Sequence, residues 1–192
     1  MREFWPERHG GLPIEQRGVS IADGNGGQAC AISVSLAKLG YTVGLYRDSD
    51  VPLTDAEQSQ LVQAGVSVIE YGSGLNTEQA IFTDAGADFI QAVLTHARAN
   101  LGADSVDNNL VAALSGATLL DIRRPFHEWE SAGPLTGALL RAAIADVAIR
   151  KKWFKSQRAA RDVAPVIWNY LGNGHPRAFS NCVLSAENWL YG

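Results

Sequence analysis

Two cysteines, Cys30 and Cys182, are all that the 192-residue chain carries. They are too few and too far apart to make a disulfide framework or a zinc cluster, so they are expected as reduced, packed thiols. No apolar run approaches the roughly 18 residues of a membrane span. The opening Met1-Arg2-Glu3-Phe4-Trp5-Pro6 lacks the apolar core of a secretion signal. A cytoplasmic protein without a membrane partner is therefore expected. Repeats and low-complexity segments are missing as well. His9, His96, His127 and His175 share no metal-ligand spacing, and no nucleophile elbow supports Ser/His/Asp catalysis. Asp23-Gly24-Asn25-Gly26-Gly27 is glycine-rich but does not meet the dinucleotide-binding spacing, and it reads as a tight turn.

One further absence is local. Between positions 150 and 161 there is no acid, while Arg150, Lys151, Lys152, Lys155, Arg158 and Arg161 supply six bases. The whole chain has a formal charge of −4; taking those six from its 16 Lys and Arg leaves 10 bases against 20 acids elsewhere. A basic strip thus sits on an acidic body. A charged helix is most often a solvated face, and phosphate contact is its main competitor.

What is present reads as an α/β fold. Hydrophobic residues make up 46% and charged residues 19%, ordinary values for one sizeable core. Short apolar runs alternate with helical patterns, the signature of parallel layering. Strands are predicted at 18–22, 41–46 and 66–71. Ala29, Ile32, Leu36 and Leu39 predict an amphipathic helix closed by Gly40. Thr54 with Glu57 predicts a capping-box helix to about Ala64, and Asn76 with Gln79 predicts another helix start. Beyond Asp84 strands disappear, and helices are expected over Asp88 to Leu101, Val106 to Leu114, Leu135 to Arg161 and Val163 to Leu171, with Pro165 in a first turn. The division expected is 1–17 as the remnant of an upstream helix and loop, 18–84 as the α/β core and 85–192 as its helical C-terminal part.

Chemistry gathers at the end of the second predicted strand. In Leu45-Tyr46-Arg47-Asp48-Ser49-Asp50, strand alternation sends Asp48 and Asp50 to one side, at the carboxyl end where open α/β sheets collect ligands. Glu78 lies in the first turn of the helix opened by Asn76. Its plain reading is a carboxylate favoured by the helix dipole; its sharper reading is a third acidic ligand from the neighbouring turn. Three carboxylates crowd stably only around a cation, and hard oxygen ligands select Mg²⁺ or Mn²⁺. A lysine beside such a cation would make a phosphoryl-transfer site.

Gly40-Tyr-Thr-Val-Gly-Leu-Tyr-Arg-Asp48-Ser-Asp50, then Gly74-Leu-Asn76-Thr-Glu78-Gln-Ala-Ile, then Trp153-Phe154-Lys155 follow one another in an order that resembles the TOPRIM domain of the OLD (overcoming lysogenization defect) family of ATP-dependent endonucleases. The resemblance covers the chain from about Gly18 onward. It implies a TOPRIM-like parallel sheet flanked by helices, with a helical C-terminal extension. Asp48, Asp50 and Glu78 would be the metal ligands, with Asn76 assisting. Lys155 would be the catalytic lysine, chosen because Lys155 and Ala159 reproduce a Lys-x-x-x-Ala helix spacing. Lys151, Lys152 and Arg158 would contact phosphate, and DNA would be the substrate. The family also places an ATPase domain upstream and opens its TOPRIM unit with a strand ending in Glu-Gly. Neither precedes Asp48 here, and none of Glu3, Glu7 and Glu15 ends an apolar strand. The expectation is the C-terminal part of a longer protein, or a truncated frame, incomplete as a nuclease by itself and able to form a homo-oligomer, with Phe4-Trp5 as the tail of the helix after the missing strand. Two rivals stand beside it. One is a phosphatase like the haloacid dehalogenases, whose nucleophile motif is also Asp-x-Asp after a strand. The other is a degenerate domain that binds DNA or protein without catalysis.

Overall fold

The capping signals at Thr54 and Asn76 mark where each strand hands over to a helix, and they organise the sheet end of the molecule. The computed structural model describes residues 9–72, 74–114, 116, 118–132, 137–171 and 176–191. Among these, two strands pair in parallel: β1 (Gly44–Arg47) and β2 (Ser67–Glu70), with Gly44 opposite Ser67 and Arg47 opposite Glu70. β2 falls inside the predicted run 66–71, and β1 overlaps the run 41–46 and ends one residue beyond it, at Arg47. Parallel strands need a crossover, and α2 (Asp55–Gln63) supplies it. Its capping box forms as the sequence predicts, with Glu57 N–H donating to Thr54 Oγ1 and Thr54 N–H donating back to Glu57 Oε2. Gly65, at φ +70°, turns the chain so that Val66 N–H reaches the Leu61 carbonyl at 3.0 Å.

The sheet has two unlike faces. Leu45 points toward α1 (Ala29–Lys38) and α2, where it meets Leu61 and Val66 in a small separate core. Tyr46 alternates to the other face and packs against the main core, beside α10 (Arg177–Tyr191), which lies against both strands. Gly44 permits that closeness, since a Cβ there would stand 3.1 Å from the Trp189 indole.

The predicted strand at 18–22 does not form. Gly18, at φ +75°, closes a 3-10 turn over Ile14–Arg17, and the following residues run as irregular chain with Ile21 36% exposed. Alternation of Val19 and Ile21 is a local pattern, whereas a strand exists only through a partner. The expected three-strand layer is therefore two-stranded among the described residues. Residues 1–8, which include Phe4-Trp5, Glu3 and Glu7, lie outside the described part.

The rest of the described chain is helical. α3 (Thr77–Phe82) leads from the sheet into α4 (Ala87–Leu101), α5 (Ala103–Ala113), α6 (Leu119–Arg123), α7 (Phe126–Ala132), α8 (Gly137–Arg150), α9 (Gln157–Leu171) and α10. One core links Ile69 of β2 to Ala186 of α10 through Phe82, Phe89, Leu110, Ile144 and Trp153. Two expectations need correction here. The helix predicted over 135–161 is interrupted: α8 ends at Arg150, Lys152 takes φ +56°, and a turn delivers Trp153 and Phe154 to the ring of Phe82, each with a centroid distance of 6.4 Å. Pro165 sits in the middle of α9, because that helix starts earlier than the sequence suggests. No described helix is long and apolar enough to cross a membrane.

Candidate acidic site at the paired strand ends

Two turns leave the carboxyl ends of β1 and β2, and Ser49 fastens one to the other. Its backbone N–H donates to the Leu75 carbonyl at 2.9 Å, and Leu75 N–H donates to Ser49 Oγ at 2.9 Å. The hydroxyl in turn donates to the Leu75 carbonyl at 3.2 Å. A second tie lies beside it, where Thr77 Oγ1 donates to Asp48 Oδ1 at 2.9 Å. The turn bearing Asp48 and Asp50 therefore adjoins the turn that opens α3, as the sequence predicts.

The side chains follow the prediction less closely. β1 ends at Arg47 and the chain bends through Ser49–Val51, so strand alternation does not govern Asp50. Asp50 is exposed, and its Oδ1 accepts from the next residue's N–H, that of Val51, at 3.0 Å. Asp48 is half-buried. Glu78 is 2% exposed, and among the described residues no hydrogen bond or ion pair reaches its carboxylate. A carboxylate so placed loses its hydration without compensation, apart from the favourable end of the α3 dipole. Asn76 is spent as a cap: its Oδ1 accepts from Gln79 N–H at 2.9 Å while its own N–H donates to Gln79 Oε1 at 3.0 Å. That leaves little for the assisting role expected of it. Among the described residues no three His, Cys, Asp or Glu side chains gather as a metal group. The structure ties the two turns together through Ser49, Leu75, Thr77 and Asp48.

Behind Asp48 lies a buried hydroxyl pair. The Tyr46 and Tyr71 hydroxyls are 2.8 Å apart, and Tyr71 in turn is 3.3 Å from Thr77 Oγ1. Burial pushes both phenols above their ordinary range, Tyr46 most strongly. The Cys182 thiol of α10, also raised by burial, borders Tyr46. Both cysteines are free thiols.

The expected basic residues divide between a turn and a helix. Lys151, Lys152 and Lys155 are exposed, and among the described residues no ion pair engages them. Arg158 faces Asp162 at 3.8 Å on α9. Lys155 precedes α9, so the Lys-x-x-x-Ala spacing with Ala159 is not a helical one. The turn nevertheless packs onto α3. Phe82, which holds Trp153 and Phe154, stands four residues after Glu78 on one side of that helix, about 6 Å along its axis.

A feature that the sequence reading missed is a cleft of about 340 Å³ at the same strand ends, lined by Arg47, Ser49, Gln58, Glu70, Gly72 and Gly74 among others. Arg47 Nη1 donates to Glu70 Oε2 at 2.6 Å across the cleft floor, and its other arm reaches the Val51 carbonyl. The signal was present as two opposite charges ending two strands, but pairing them needs the register of β1 against β2. His9 and His127 take no part in this site, and His175 lies outside the described residues. No family model matches the chain, and no curated protein or solved structure gives a match.

Proposed function

We propose that this chain is a TOPRIM-like, divalent-metal-dependent nuclease domain that hydrolyses DNA phosphodiesters as the catalytic part of a larger ATPase-nuclease. The observation that carries the reading is the buried Glu78 carboxylate, without a partner among the described residues and one residue from the Thr77 that holds Asp48. A cation is the simplest group to offset such a carboxylate. Asp48 and Glu78 fit the hard oxygen set that Mg²⁺ or Mn²⁺ requires. Asp50 would join them only by turning away from Val51 N–H. When bound, the metal supplies Lewis acidity toward a phosphoryl oxygen and lowers the pKa of a water.

The remaining roles belong to the chain itself. The Ser49–Leu75 bonds hold the two turns in register. Lys151, Lys152, Lys155 and Arg158, all exposed, would meet the phosphates of a bound strand, a contact that weakens as salt rises. Lys155 is the member assigned to the scissile phosphate.

A second reading gains one observation. With no strand at 18–22, Asp48 and Asp50 follow the first strand of the described residues, where a haloacid-dehalogenase-like phosphatase carries its nucleophile. That reading asks Asp48 to attack phosphorus, although one of its oxygens is already held by Thr77. Nicking of supercoiled plasmid by the chain fused to its presumed upstream region, with Mg²⁺, with Mn²⁺ and with chelator, beside release of phosphate from p-nitrophenyl phosphate, separates the two. Metal-dependent nicking abolished by Asp48→Ala is expected. Undiminished cleavage by that variant would remove the nuclease reading, and phosphate release without nicking would select the phosphatase.

A further inference from the structure

Thr77 carries one hydroxyl proton and has two oxygens within reach, Asp48 Oδ1 at 2.9 Å and the Tyr71 hydroxyl at 3.3 Å. An ionised carboxylate can only accept, so the proton goes to Asp48. The Thr77 oxygen is then left to accept from Tyr71. With its own proton committed, Tyr71 accepts from Tyr46, 2.8 Å away. Three hydroxyls consequently stand head to tail, and every proton points toward Asp48. Such a row polarises itself, each bond strengthening the next in a low-dielectric interior. Tyr71 is 2% exposed, so water does not compete for its hydroxyl.

We propose that Thr77 is a positioning residue for Asp48: aimed by the buried Tyr46–Tyr71 pair, its hydroxyl fixes the carboxylate through Oδ1 and leaves Oδ2 to meet a divalent cation. The inference rests on the cation reading given above and adds the residues that orient the ligand. Thr77 and Glu78 are adjacent in the first turn of α3, so one local element sets both acids. Second-layer partners of this kind tune metal affinity by about 10- to 100-fold.

The test uses the full chain and Mn²⁺ as the probe. Calorimetric titration compares wild type with Thr77→Val, Thr77→Ser and Tyr71→Phe. Thr77→Val, which keeps the shape and removes the donor, is expected to weaken Mn²⁺ binding about tenfold. Thr77→Ser should restore it, and Tyr71→Phe should have a smaller effect than Thr77→Val. A second arm needs no metal: proton NMR of the slowly exchanging tyrosine hydroxyls in wild type and Asp48→Ala. Both lines should move, although Asp48 bonds to neither phenol. Wild-type Mn²⁺ affinity in Thr77→Val, or tyrosine lines unmoved by Asp48→Ala, would overturn the inference. If the wild type binds no Mn²⁺, the cation reading fails by itself. Moved lines then retain Thr77 as the anchor of Asp48, and unmoved lines end that role too.

Discussion

Among the described residues, Leu45, Leu61 and Val66 are the buried apolar residues between the sheet and helices α1 and α2, whereas the helical body buries Phe82, Phe89, Phe126, Trp129 and Trp153 in one continuous cluster. The sheet end relies on polar fastenings: the Thr54–Glu57 box, the Ser49–Leu75 bonds and the Arg47–Glu70 ion pair. A two-stranded sheet has little independent stability, so the body is what holds the sheet end in place. The acidic residues lie on the seam, Asp48 on the thin side and Glu78 in the first helix of the thick one. A site divided in this way can change its spacing without the body unfolding.

Core truncations test that contrast most strongly. Phe82→Ala is expected to cost about 3–5 kcal/mol in urea unfolding, to act on the whole molecule and to loosen the Lys151–Ser156 turn. Leu61→Ala should cost about 2 kcal/mol, at the low end for such a change, with its loss of hydrogen-exchange protection confined to α1, α2 and the strands. Equal, global loss of protection in both variants would erase the distinction between the regions.

Next in size is Glu78→Gln. Replacing a buried carboxylate that has no partner among the described residues by a neutral amide should raise metal-free stability by about 1–2 kcal/mol, while any stabilisation by Mn²⁺ disappears. Thermal melts with and without Mn²⁺ measure both, and a lower metal-free Tm for the variant would show that Glu78 is compensated as it stands. Cap deletions come third. Thr54→Ala in the sheet end and Thr118→Ala in the body should each cost about 1 kcal/mol. Exchange at α2 should quicken with the first alone, and a global response to Thr54→Ala would mean that the thin region is not separable.

The smallest effect is in acid. Glu57 is held below the ordinary glutamate value of 4.5, first by the Thr54 backbone N–H and then by its hydroxyl. Asp121 is held below the ordinary aspartate value of 3.8 by the corresponding Thr118 groups, the hydroxyl first. A depressed carboxylate contributes stability above its unfolded value and loses it as pH falls through the folded one. Melting temperature should therefore decline as pH drops below about 4.5 for the sheet end and below about 3.8 for the body. Thr54→Ala should flatten the first decline and leave the second.

What could be read in the sequence was local chemistry. Both capping boxes, at Thr54 and at Asn76, form with the predicted partners, because an N-cap depends on residues within one turn. The two pairing strands were legible for a similar reason, as short apolar runs bounded by turns. Features that depend on distant residues were not. Nothing between Arg150 and Ser156 breaks a helix by propensity; the break arises because Trp153 and Phe154 reach Phe82. The α10 helix went unread despite Phe179, Val183 and Ala186 at helical spacing, all of them buried. So did the Thr118–Asp121 box at the start of α6. At the candidate site, the adjacency of the turns followed from parallel pairing, but the orientation of Asp50 and the Tyr46–Tyr71–Thr77 row depended on contacts among separate elements.

Trp189 lies against Gly44, and the two are separated by most of the chain. A ribosome releases β1 long before it releases the indole that covers it, so during synthesis one side of the nascent sheet waits, uncovered, for α10. Contacts of such sequence separation form slowly. The acidic turns can thus reach their final spacing only after α10 has emerged from the ribosome, which makes that helix a timer for the maturation of the site.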